Sequence, residues 1–74
     1  MSEHFKNRIS LNLEIIDEFI INNKLKIYEF CKLCGISRST FNTIAKNGHI
    51  TSRGTLYKIS SAMKILPSKL IKTN

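Results

Sequence analysis

The stretch from Ile27 to Lys46, I-Y-E-F-C-K-L-C-G-I-S-R-S-T-F-N-T-I-A-K, constrains the fold most, because a single glycine divides two helical patterns within it. Before Gly35, Phe30, Cys31 and Cys34 recur at i, i+1 and i+4 and share one face of a helix. After it, Phe41 and Ile44 are three apart and share a face of the next, with Ile36 apolar in the turn between. Gly35 supplies a positive φ without steric cost and so ends the first helix as its C′ residue. Ser37 stands where an N-cap belongs, its hydroxyl able to accept the amide of Ser39 or Thr40. Cys31 is the small residue that two steeply crossed helices need near their crossing. With the apolar residues turned inward, Ser37, Arg38, Ser39, Asn42, Thr43 and Lys46 face outward. Every one of them can hydrogen-bond and none is acidic.

The charge of the chain is concentrated on the same side of the sequence. From Met1 to Leu25 there are three basic residues and four acids; from Lys26 onward there are nine basic residues and one acid, Glu29. A polyanionic partner explains so uneven a balance, since neutralising phosphates and releasing their counterions is the main source of non-specific nucleic-acid affinity. The plain alternative, a cationic surface kept for solubility, is disfavoured by the self-repulsion it imposes on a domain of 74 residues. That length predicts one domain over residues 1–74, burying about 60% of its unfolded surface around a small core. Apolar content of 42% against 23% charged residues is that of an ordered globular chain. No apolar run approaches the roughly 20 residues that span a bilayer, and the N-terminus has no signal-peptide core. A cytoplasmic location, with no membrane partner, is the expectation.

Taken in order, residues 1–10 are polar, with Phe5 and Ile9 isolated among them. They form a flexible start, or that apolar pair docks on the core or on a partner. Leu11 to Asn22 reads as helix one, with Ser10 as its N-cap, Glu14 and Asp17 near the positive end of its dipole, and Leu13, Ile16 and Phe19 or Ile20 inward. Its apolar residues cover more than one stripe, so it is either well buried or offers a surface to a second subunit. Asn22-Asn23-Lys24 ends it, and Leu25 tucks under helix two. Asn47-Gly48 closes helix three, and His49-Ile50 crosses to helix four, capped by Thr51 or Ser52. Helix four runs to about Lys64 with Leu56, Ile59, Ala62 and Met63 inward. Leu66-Pro67 breaks it, and Pro67 opens a short fifth helix carrying Leu70 and Ile71. No strand signal and no repeat is present. The expected fold is all-α, a compact bundle of about five short helices with a helix-turn-helix over Ile27–Lys46.

The segment Ile27–Lys46 resembles the helix-turn-helix of the lambda-repressor-like, Cro-type family of DNA-binding domains, the XRE class. The resemblance continues through Asn47-Gly48 and then T-S-R-G-T-L-Y-K-I-S-S-A-M-K-I, which is similar to the family's fourth helix; together these cover about two thirds of the chain. It implies that helix three enters the major groove of double-stranded DNA, with Ser37, Arg38, Ser39, Asn42 and Thr43 at base-facing positions. Arg38 then suits a bidentate pair with guanine, Asn42 suits adenine, and the Thr43 methyl suits a thymine methyl. Lys26, Lys46, Asn47, Gly48, Ser52 and Arg53 are the expected phosphate contacts. It further implies a small transcriptional regulator, a repressor, bound as a homodimer to a pseudo-palindromic operator with its two reading helices about 34 Å apart. The dimer surface is expected on helix five and the tail (Leu66, Leu70, Ile71) rather than on helix one. Two positions depart from the family pattern. Ile27 stands where a glutamine often braces phosphate and recognition helix, and Lys26 stands where a serine or threonine commonly caps helix two.

Other chemistry finds little support in the residues. Cys31-Lys-Leu-Cys34 is a C-x-x-C without a second pair, a preceding strand or a nearby acid, so a buried, reduced pair is expected rather than a redox or zinc site. His4 and His49 have no neighbouring carboxylate to make a base; His49 is expected exposed or beside the DNA. No nucleophile–base set, phosphate loop or acidic metal cluster is present, and neither catalysis nor a cofactor is expected. The alternatives to DNA reading are a protein-binding accessory or antitoxin-like module whose basic face meets an acidic partner, and a small thiol–disulfide enzyme.

Overall fold

Phe30, with no exposed surface, is the residue on which the helices converge. The computed structural model describes residues 8–50 and 52–72. Along them run β1 (Ile9–Ser10), α1 (Leu13–Asn22), α2 (Ile27–Cys34), α3 (Arg38–Asn47), β2 (His49–Ile50), α4 (Arg53–Met63) and α5 (Pro67–Leu70). The Phe30 ring on α2 meets Phe19 of α1 edge-on at 5.9 Å and Phe41 of α3 edge-on at 5.8 Å. Each such pair is worth about 0.5–1.5 kcal/mol beyond the area it buries. The chain of rings therefore sets how α3 stands against the two helices before it. From the other side α4 brings Leu56, Ile59 and Met63, α5 brings Leu70, and Ile16, Ile20, Ile44 and Ile50 complete the core. The result, among the described residues, is a mostly helical domain of five helices in which α2 and α3 are joined by a tight turn at Gly35.

The helix ends explain why the turns are sharp. Gly35 sits at φ 75°, its N–H bonded to the Lys32 carbonyl at 3.2 Å, while the Ile36 N–H reaches the Cys31 carbonyl at 3.0 Å. This is a full Schellman closure, and Gly35 is the residue for which the left-handed φ costs least. The same pair of bonds closes α1 through Lys24 and α4 through Lys64, which hold φ 55° and 59° without being glycine. On the other side of the turn, the Ser37 hydroxyl accepts the Thr40 N–H at 3.0 Å and caps α3 as expected.

The N-terminal segment departs from the sequence reading. Helix one begins at Leu13, not Leu11, and Ser10 is not its cap; Asn12 holds that position without a side-chain bond. The reason is that the backbone of residues 9–12 is already committed. Ile9 pairs with Ile50 and Ser10 with His49 in an antiparallel ladder that no strand signal announced. Leu11 donates to the Gly48 carbonyl at 2.9 Å, Asn12 to Leu70 at 2.8 Å, and Lys72 donates back to Ser10 at 2.8 Å. Residues 9–12 thus lie between the turn after α3 and the end of α5. Ile9 docks half-buried on the core, as one of the two expected alternatives had it, whereas its companion Phe5 and the alternative cap Thr51 lie outside the described residues.

A second correction concerns the surface expected to pair two subunits. Leu70 is fully buried under α4 and offers nothing to a partner; of the three residues named, Leu66 is the exposed one and Ile71 is half-buried. No helix among the described residues is long and apolar enough to cross a membrane.

Candidate nucleic-acid interface

The outer side of α3 presents Arg38, Ser39, Asn42, Thr43 and Lys46 to solvent, preceded by its exposed cap Ser37. Phe41 and Ile44, on the opposite side, hold the helix against the core. From Ser37 to Arg53 the chain carries Arg38, Lys46 and Arg53 and no carboxylate, so this segment contributes only positive charge to the surface. Ser52 and Arg53 are exposed at the start of α4, across an open cleft of about 300 Å³ from α3. Ser39, Thr43 and Asn47 form one wall of the cleft and Ser52 and Thr55 the other, with His49 between them. Of the base-facing and phosphate-facing candidates, the cleft therefore brings together Ser39, Thr43, Asn47 and Ser52.

Hydrogen bonding limits what each side chain can still offer. The Ser37 hydroxyl accepts the Thr40 N–H and donates to Thr40 Oγ1 at 2.9 Å, which leaves it no free proton. Thr43 donates to the Ser39 carbonyl at 3.0 Å, so it presents its methyl group and an accepting oxygen. Ser52 accepts the Thr55 N–H at 3.3 Å and keeps its own proton for an anion. Gly48 offers less than the sequence suggests: its N–H is bonded to the Ile44 carbonyl at 2.7 Å and its carbonyl accepts from Leu11. Its contribution is the left-handed turn, at φ 76°, that swings the chain from α3 into β2.

Lys26 is exposed at the start of α2. Its N–H donates to Glu29 Oε1 at 2.7 Å, so a carboxylate already occupies that helix end. Sequence reasoning missed Thr40 and Thr55, which join the cleft from inward quadrants of their helices where polar residues carry no positional signal. His49 is half-buried, not exposed, and its Nδ1 donates to the Asn47 carbonyl at 3.3 Å.

The cysteines have the character of packing residues. Both are free and buried on α2. Burial, reinforced by Cys31, pushes the Cys34 thiol up to about 12. Cys31 is raised by burial too, with Arg38 pulling weakly the other way. A nucleophilic cysteine requires the opposite shift. No group of three or more His, Cys, Asp or Glu among the described residues could hold a metal ion.

Residues 15–74 match the Cro/C1-type HTH DNA-binding domain. The chain belongs to that family. DNA is accordingly its partner, and the family is a non-catalytic one. The match takes in α2, α3, α4, α5 and nearly all of α1, whereas β1 lies before it. No curated protein and no solved structure is significantly similar to the chain.

Proposed function

We propose that this Cro/C1-type domain is a sequence-specific transcriptional regulator, a cytoplasmic repressor that reads the major groove with α3 and binds a pseudo-palindromic operator as a homodimer. The observation that carries the reading is the outer face of α3, where five exposed side chains able to hydrogen-bond are backed by apolar residues and accompanied by no acid. Arg38, in the first turn, pairs with guanine O6 and N7, and Asn42 with adenine; each such pair is worth about 1–3 kcal/mol of discrimination. Ser39 donates or accepts as the base requires. Thr43, its proton engaged, contacts a thymine methyl or accepts from an exocyclic amine. Ser37 acts chiefly by holding the first turn in place.

Phosphates are met by Lys46, the Asn47 side chain, Ser52 and Arg53, with Lys26 a weaker contributor because Glu29 shares its helix end. Gly48 supports them by shaping the turn. Two subunits related by a twofold axis would set their α3 helices about 34 Å apart, one turn of the duplex. Occupying an operator in this way excludes other proteins from it, which is the basis of the repressor reading.

Selection of bound fragments from a random duplex pool tests the division of labour. Arg38→Ala is expected to relax preference at one base pair per half-site, whereas Lys46→Ala weakens all sequences alike and lowers the salt slope. Identical behaviour of the two variants would show that α3 does not read bases. An acidic protein as the true partner would appear as duplex binding too weak to titrate with salt.

A further inference from the structure

We infer that the outer faces of α1 and α4 are the two halves of a contact between copies of this chain, α1 of one copy lying antiparallel on α4 of the next. On α1 the exposed side chains Glu14, Asp17, Glu18 and Ile21 fall at i, i+3, i+4 and i+7, opposite the buried Ile16 and Ile20. This stripe runs from acids to an isoleucine that is 71% exposed, and α1 carries no cation. On α4 the exposed stripe is Tyr57, Lys58 and Ser61, with Lys64 at the helix end. It starts from a tyrosine that is 53% exposed, ends on a cation, and α4 carries no acid. All of these side chains face solvent, so neither stripe is covered within one copy.

The occupant is a second copy because charge and spacing match. From residue 14 to 21, and from 57 to 64, the helical rise is the same, about 10 Å. The order of residue types is reversed between the stripes, so the antiparallel arrangement suits both. It sets Ile21 against Tyr57, Asp17 against Ser61 with Lys58 beside it, and Glu14 against Lys64. The parallel arrangement would place the apolar residue of each stripe against a charge. Ser61 is small and lets the two helices approach closely. The net charge of +7 opposes association at a distance, but salt screens it beyond about 8–10 Å, whereas facing side chains meet well inside that range. Thr55 lines the α3–α4 cleft, and Tyr57, two residues on, points nearly the other way, so the contact leaves that cleft open. Because its halves differ, the contact is heterologous and can repeat from copy to copy.

The test is sedimentation equilibrium of the full chain without DNA, at low and high salt, with thermal melting alongside. The parent is expected to self-associate with rising concentration, and less so as salt is raised. The α1 variant Asp17→Lys with Glu18→Lys, and separately the α4 variant Lys58→Glu, should each lose this salt-sensitive association. Both change exposed positions within their helices, so both should melt close to the parent. Mixed in equal amounts, the two should associate again, because each reversed face then meets its match. A parent that stays monomeric overturns the inference. So does a reversed variant that associates as the parent does, or a mixture no more associated than its components. If a reversed variant melts well below the parent, Ile21→Ser decides in its place. That variant should weaken association several-fold at unchanged Tm, and parental association in it overturns the inference.

Discussion

Glu29 illustrates how one side chain decides what a helix end is for. By accepting the Lys26 N–H at 2.7 Å it places a negative charge at the start of α2, where another anion would be repelled. At the start of α4 the cap is Ser52, neutral and with its hydroxyl proton to spare, and Arg53 follows it. The two helix ends thus differ in chemistry, and α4 is the one suited to phosphate. The cysteines make the parallel point for reactivity. Cys34 is buried and its thiol is held up to about 12, above that of an unfolded thiol, so the unfolded chain ionises first. Its stabilising contribution is complete below about pH 8.5 and is lost as pH rises from there towards the folded value, by up to about 1.4 kcal/mol per unit. Denaturant titrations should therefore show a steeper alkaline loss of stability in the parent than in Cys34→Ala. Thiol labelling of the native protein should be slow at neutral pH. Rapid labelling of Cys34 would contradict its burial.

At the scale of elements, the helix ends differ in how far they can be read. Ser37 capping α3 and Gly35 ending α2 were legible because each residue type has a local reason to be there: a hydroxyl near a free amide, and a backbone that tolerates positive φ. Lys24 and Lys64 end α1 and α4 in the same left-handed geometry with no such signal, held there by the packing of Leu25 and Ile65 on the core. That conformation costs a side-chain-bearing residue about 1 kcal/mol. Lys64→Gly should recover most of this and raise Tm by about 4–8 °C in a domain of this size, while Lys64→Ala should not. An unchanged Tm in the glycine variant would mean that α4 does not end in that geometry. Helix one was misread at its start for a related reason. Ser10 is a good cap by type, but its backbone pairs with His49 and Lys72, and a residue in a ladder cannot also begin a helix.

For the molecule as a whole, the question is which surface remains for a second subunit. Leu66 is 66% exposed just before α5, whereas Leu70, four residues on, is completely covered. If two copies meet at this edge, Leu66→Lys should leave Tm unchanged, abolish the dimer in sedimentation and weaken binding to a paired operator far more than to a half-site. A dimer that persists would move the interface elsewhere. The helical organisation and the outward face of α3 were determined by the sequence alone, because both follow from short-range rules. Apolar spacing fixes which side of α3 points inward, so Arg38, Asn42 and Lys46 had to point out. The backbone bonds that join residues 9–12 to both the α3 turn and the end of α5, and the burial of Leu70, were decided only by tertiary structure. Two-residue strands have no periodicity to detect, and their pairing links positions some forty residues apart through backbone groups that every residue carries.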